Sequence, residues 1–143
     1  MRDTKRQGEI AEAGFVHKAM KMGLTVLKPV GDSERFDFVV NRGRKFVRVQ
    51  VRSSQTMSRW KMYSVASCYK INHGSRAPAE QVPYTEEEID FLAVYLVPED
   101  TWYLLPVAAL RGRVRVTLYS KAHGRPGPEA EFKEAWEALL GTM

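Results

Sequence analysis

The sequence holds one cysteine, Cys68, in 143 residues, so it can form no disulfide framework of its own. A lone thiol fits a reducing, intracellular compartment, and the cytoplasm is the expected location. The three histidines, His17, His73 and His123, are scattered and make no zinc-ligand spacing with Cys68. No run approaches the ~18 apolar residues that a membrane span needs, and the N-terminal stretch has no signal-peptide core, so no membrane role is expected. Internal repeats and low-complexity tracts are absent as well. Charge of one sign is missing over long stretches. Between Phe38 and Ala79 there are nine Lys or Arg and no Asp or Glu; between Ala77 and Leu110 there are seven Asp or Glu and no Lys or Arg.

What is present suits one globular domain over residues 1–143: 44% of residues are hydrophobic and 27% charged. The net charge of +5 favours a polyanionic partner, and the segregated basic block concentrates that attraction.

The stretch Arg35–Ser54, RFDFVVNRGRKFVRVQVRSS, organises the reading. Phe36–Val40 and Val47–Arg52 read as strands joined by a turn at Asn41-Arg42-Gly43-Arg44, where Gly43 can take φ > 0. Side chains alternate across a strand, so Val47, Val49 and Val51 share one face and Arg48, Gln50 and Arg52 the other. With the valines inward, Asp37, Gln50 and Arg52 can converge. A carboxylate, an amide and a cation on neighbouring strands form a costly cluster to bury for packing alone.

The arrangement resembles the core of the PD-(D/E)XK nuclease superfamily, with Asp37 on one strand, Gln50-Val51-Arg52 on the next and Glu9 on a preceding helix. It is most similar to the branch that contains a cyanobacterial group I intron homing endonuclease, in which Gln takes the acidic position. Gly31-Asp32, the VQV of the second strand, Glu88-Ile89-Asp90-Phe91 and Trp102–Pro106 fit that branch too, over roughly residues 5 to 110. Phe36 stands where the superfamily name has Pro, and Arg52 where it has Lys. The resemblance implies an α/β, restriction-endonuclease-like core: a central mixed β-sheet flanked by helices. It also implies a Mg²⁺-dependent endonuclease acting on double-stranded DNA, with Mn²⁺ able to substitute. Glu9, Asp37, Gln50 and Arg52 would be catalytic, and Asp37, Gln50 and the Val51 carbonyl would hold metal. Arg52 stays charged, so it can stabilise phosphate but cannot serve as a general base. Arg35, Arg42, Arg44, Arg48, Ser53, Ser54, Arg59 and Lys61 are the expected nucleic-acid contacts. Cutting both strands with one site per chain most simply takes a homodimer, and the resemblance allows a homotetramer. Two alternatives stay open: a DNA-binding protein that keeps the fold without the catalysis, and a structure-specific junction resolvase.

Along the chain, residues 4–22 read as a helix stopped by Gly23, with Ala13, Val16 and Met20 continuing an inward stripe that begins at Glu9. Leu24–Val30 reads as a strand. Asp32 and Glu34 are loop acids beside the site. Trp60 and Met62 are expected to face the core. Thr85 is expected to cap a helix start, and Asp90 to pair with a buried Arg. Ile89–Val97 and Trp102–Pro106 form a buried hairpin, Val107–Leu110 a single helical turn and Val114–Leu118 an edge strand. An amphipathic helix is expected over 129–140, with Phe132, Trp136, Leu139 and Leu140 on one stripe.

Overall fold

A computed structural model describes residues 4–141. Among the described residues the one long helix is α1, Thr4–Lys21, and Gly23 at φ +84° turns the chain out of it. A short strand β1, Thr25–Leu27, follows. Then come β2, Phe38–Asn41, and β3, Phe46–Ser54. The turn between them is held by the Gly43 N–H, which donates to Asn41 Oδ1 at 2.9 Å, with Gly43 at φ +99° as its sequence position predicts. Two small strand pairs follow: β4, Met62–Ala66, pairs with a late strand, β9, Arg115–Tyr119, while β5, Cys68–Ile71, pairs with β6, Glu80–Pro83. The strands β7, Phe91–Leu96, and β8, Thr101–Pro106, form the expected hairpin, and the single turn α2, Val107–Leu110, is where the sequence places it.

The central sheet runs β1-β2-β3-β7-β8. Its β3–β7 contact is parallel and the rest are antiparallel, which makes it the mixed sheet expected. A strand covered on both faces needs apolar side chains at successive positions, and FLAVYL of β7 supplies them. On one face lie Ala11, Phe15 and Ala19 of α1, with Val47, Val49 and Val51 of β3 and Trp136 and Leu139 from the end of the chain. Phe15 sits among the rings of Phe38, Trp102 and Trp136 at centroid separations of 5.7, 6.0 and 5.8 Å. The other face packs Leu92, Val94 and Leu96 against Tyr63 and Val65 of β4 and Val116 and Leu118 of β9.

Three expectations are corrected. The buried stripe of α1 is Ala11, Phe15 and Ala19, whereas Ala13 and Met20 are exposed; the large Phe15 ring, rather than Met20, decides which side of the helix is inward. The acids after Thr85 form one hydrogen-bonded turn, not a helix: the Thr85 N–H and Oγ1 both reach Glu88 Oε1, at 3.0 and 3.2 Å, and the chain passes straight into β7. The segment 129–140 is also not one helix. It makes a 3-10 turn at Ala130–Phe132, then Glu134 at φ +51°, then the single turn α3, Glu137–Leu140. The cause is the open edge of β8. The Trp102 N–H donates to Glu134 Oε2 and the Glu134 N–H donates to the Trp102 carbonyl, both at 2.8 Å. Breaking the helix there sends Phe132 to one core and Trp136 to the other.

Asp90 fastens the parallel pair as expected. Its carboxylate accepts from the Arg48 N–H at 2.7 Å and from Arg48 Nε and Nη2 at 3.2 Å each. Burial pushes the Asp90 carboxyl up, but these bonds and the guanidinium charge outweigh it and hold the group below the usual aspartate range. Its stabilising contribution is therefore present above the ordinary aspartate value and lost as pH falls through the depressed one. Asp90→Ala is expected to cost about 2 kcal/mol at neutral pH. Thermal denaturation across the acid range checks this: the gap between variant and wild type should close as the pH drops.

Candidate active site

The site is built where β2 and β3 part. Phe38 is the last paired residue of β2, opposite Val49. One step further the Asp37 N–H donates to the Val49 carbonyl at 2.9 Å, so Asp37 stays against β3 just past the last paired residue. The Val51 N–H lies beyond the paired strands and donates instead to Asp37 Oδ2 at 2.8 Å. Asp37 lines a pocket of about 290 Å³ with Glu12 of α1, Lys28 from the loop after β1, and the loop acids Asp32 and Glu34.

Burial lifts the Asp37 carboxyl above the usual aspartate range, against the lowering influences of the Val51 N–H, Arg52 and Lys28. Burial and then the charge of Asp37 lift Glu12 as well, with Lys28 opposing and Glu9 adding to the rise. Glu12 is thus the helix carboxylate facing Asp37, whereas Glu9 is solvent-exposed. The expectation for Glu9 is corrected by helix geometry: with Phe15 at the centre of the buried face, Glu12 lies about 60° round the helix and Glu9 about 120°. Centring the stripe on the aromatic residue would have found Glu12 from sequence. Lys28 carried no such signal, because its position depends on the path of the loop after β1.

Arg52 lies on the Gln50 face of β3. Nη2 donates to the Tyr84 hydroxyl at 2.6 Å and to the Cys68 carbonyl at 2.9 Å. The guanidinium carbon is 5.8 Å from the centre of the Tyr84 ring. Nε is buried with no hydrogen-bond partner in the protein. Asp37, Gln50 and Arg52 are therefore brought to one end of the β2–β3 pair, with Glu12 joining them from the helix.

The expected nucleic-acid contacts divide. Arg48 is tied to Asp90 and donates to the carbonyls of Glu86 and Glu87 at 2.6 Å each. Arg42 Nη1 donates to the Ala138 carbonyl at 2.9 Å. Arg35 lies 3.7 Å over the Tyr69 ring. These three guanidiniums make contacts within the protein. Arg44, Arg59 and Lys61 are exposed. Ser53 and Ser54 line a second pocket of about 430 Å³ with Gln55, Thr56 and Gln7. Trp60 was expected in the core but is 64% exposed, on a tight turn where Lys61 takes φ +63° and the Trp60 N–H donates to Ser58 Oγ. Arg59 lies 4.8 Å from its ring.

Among the described residues, no three Asp, Glu, His or Cys side chains gather as a metal cage. The donor side chains lining the Asp37 pocket are the carboxylates of Asp37, Glu12, Asp32 and Glu34, with no imidazole or thiolate. Hard oxygen donors of this kind fit a hard divalent cation, and positive charge there would relieve the crowding of the carboxylates.

The profile of PD-(D/E)XK endonucleases matches residues 2–139. Among solved structures, the bacterial homing endonuclease I-Ssp6803I superposes with a TM-score of 0.85 at 27% identity, over 98% of this chain and 95% of that one. The Holliday junction resolvase Hjc of Archaeoglobus fulgidus superposes with a TM-score of 0.52 at 14% identity, over 96% and 98%, and so shares the fold. Among curated proteins, none matches the chain.

The lifted Asp37 carboxyl has a consequence for stability. A folded-state value above the unfolded one means that its contribution is present at low pH and lost as pH rises through the lifted value. Ionised Asp37 therefore costs stability in the metal-free protein at neutral pH. Asp37→Asn keeps an acceptor for the Val51 N–H and removes the charge. Its Tm at pH 7 should rise by about 2–4 °C, with the gain vanishing in acid. A lower Tm for the variant at pH 7 would contradict the electrostatic reading.

Proposed function

This chain belongs to the PD-(D/E)XK endonuclease family, and on that footing we propose that it is a metal-dependent DNA endonuclease that hydrolyses phosphodiester bonds, resembling a homing endonuclease. The observation that carries the reading is the gathering of Asp37 and Glu12 in one pocket where β2 leaves β3, with the charge of Arg52 acting on Asp37. A carboxylate lifted by burial, and a second lifted by burial and by the charge of the first, are poorly suited to a purely structural role and well suited to a cation.

Mg²⁺, with Mn²⁺ as a substitute, supplies charge neutralisation at the phosphate and a hydroxide near neutral pH when bound. Asp37, Gln50 and the Val51 carbonyl are its proposed ligands, with Glu12 supporting from the helix side. Because Gln50 brings no charge, the second carboxylate matters more. Arg52 stabilises the charge that builds on the phosphate, since a guanidinium cannot take up a proton at ordinary pH. Lys28 places a second cation in the acidic pocket. The substrate is double-stranded DNA, drawn by the basic block. Exposed Arg44, Arg59 and Lys61 contact the backbone, and Ser53 and Ser54 give neutral hydrogen bonds to phosphate. One domain per chain cuts one strand, so the working form is a homodimer or homotetramer, acting in the cytoplasm. Among the described residues, no helix is long and apolar enough to cross a membrane.

A second reading is a DNA-binding protein that keeps the fold with little catalysis. The observation in its favour is Arg52 itself, a guanidinium at the family's lysine position.

Plasmid cleavage with Mg²⁺ or Mn²⁺ tests the assignment. Asp37→Ala should abolish cleavage while retaining DNA binding. Glu12→Gln should lower the rate by about ten- to a hundredfold, and Glu9→Gln should leave it close to wild type. Cleavage by Asp37→Ala at the wild-type rate would remove the site assignment; no cleavage by wild type with DNA still bound would favour the second reading.

Trp60 gives a separate report on the binding face. Trp102 and Trp136 are 6% and 4% exposed, so a duplex arriving near Arg59 and Lys61 should change chiefly Trp60 fluorescence. The change should disappear in Trp60→Phe, and affinity should fall steeply with salt. A flat salt dependence would argue against the phosphate-tracking face.

A further inference from the structure

Both hydrogen bonds of Arg52 go to the base of one hairpin. Cys68 opens β5, and Tyr84 directly follows β6. The two points are brought together by the β5–β6 pairing, in which Cys68 stands opposite Pro83. The hairpin is itself fixed: the Tyr84 N–H donates to the Ser67 carbonyl at 3.3 Å, and the Tyr69 and Tyr84 rings meet at 5.6 Å. Arg35 lies over the Tyr69 ring at 3.7 Å.

Tyr84 is 4% exposed, and its ring packs in the second core. The ring alone would satisfy that core, as Phe would. The hydroxyl has a different use, since its 2.6 Å contact is with Arg52. A flexible Arg side chain has much rotamer freedom to lose, and a planar fork held at one nitrogen is fixed in direction as a whole. Here Nη2 is held, and Nε is buried without a protein partner. The charge of Arg52 is felt at Asp37 and at Tyr84, so the three groups share one electrostatic neighbourhood.

We propose that Tyr84 is the positioning residue of the site: with the Cys68 carbonyl it fixes the guanidinium of Arg52 so that its charge stays beside Asp37, where the phosphate being cut would lie. The inference rests on the nuclease reading for its kinetic consequence but not for its structural one. It also accounts for arginine at a lysine position. The longer, delocalised fork binds the hairpin through one nitrogen while its charge still acts at Asp37, whereas an ammonium would divide one point charge between the two tasks.

The test joins two measurements on the full chain. In the first, arginine Nε–Hε resonances are recorded by NMR, with Arg52→Lys used to identify the signal of Arg52. Wild type should show a distinct, slowly exchanging Nε–Hε. Tyr84→Phe should shift it and speed its exchange with water, while the remaining amide spectrum reports an intact fold. In the second, cleavage of a plasmid by wild type, Tyr84→Phe, Arg52→Lys and the double variant is compared. Tyr84→Phe should lower kcat by roughly ten- to a hundredfold with KM for DNA unchanged. In the Arg52→Lys background the same change should have little further effect. An unaltered Arg52 signal in Tyr84→Phe, or an equal loss of kcat in both backgrounds, would overturn the positioning role. Failure of the nuclease reading would be seen separately, as wild-type cleavage no different from that of Asp37→Ala; the NMR arm would then decide the placement of Arg52 alone.

Discussion

Where two paired strands separate, the backbone N–H groups just past the fork lose their partners, and a half-buried amide without one costs about 1–3 kcal/mol. In this protein the group at the fork is the Val51 N–H, and its partner is the Asp37 carboxylate. The rest of the site depends on that bond. It fixes Asp37 at the place where β2 turns away, and it leaves Gln50 and Arg52 on the adjoining strand at known positions relative to it. Burial keeps water from fully solvating this carboxylate, and that outweighs the Val51 N–H and the nearby cations, so its proton is held more tightly than usual. The hydrogen bond that closes the fold and the chemistry proposed for the site therefore share the same oxygen-bearing group.

Charge in this chain is divided by distance from that fork. Acids from two parts of the sequence, the N-terminal helix and the loop before β2, meet at it. The basic block surrounds it, yet several of its members point into the protein. Arg48 gathers Asp90 and the turn before β7, Arg42 reaches the last helical turn, and Arg52 binds the β5–β6 hairpin. Each joins elements far apart in sequence. Arginine suits such joints because its fork meets two or three carbonyls at once. Other members of the block, among them Arg44, Arg59 and Lys61, face solvent.

The central hairpin, the β7–β8 hairpin and the pairing of Asp90 with an arginine were all legible in the sequence. Strand periodicity and turn residues are local properties, and an acid inside an apolar strand needs a cation. The face of α1 was not, because its weak apolar pattern allows two stripes, and only the ring cluster around Phe15 selects one. That choice moved the helix carboxylate from Glu9 to Glu12. The segment after Pro128 has a helical pattern, but the demand that overrides it comes from β8: its open edge recruits Glu134. Trp60 has the composition of a core residue and stands outside because Ser58 and Lys61 close a turn beneath it. Tyr84 had no signal at all, since its role exists only once β5, β6 and β3 are assembled. In each case the missing information was a contact across the fold.

The parallel pairing of β3 with β7 bears on how the molecule comes to be folded. Ser54 ends one strand and Phe91 begins the other, so the two central strands meet only after the intervening chain has been arranged. Closing so long a loop is opposed by chain entropy before any ladder contact rewards it. During synthesis the β2–β3 hairpin can form early from neighbouring residues, but its β3 edge stays unpaired until β7 arrives. That edge is the temporary liability of the nascent chain, and the arginines along β3 give it a charge that discourages pairing with a stranger.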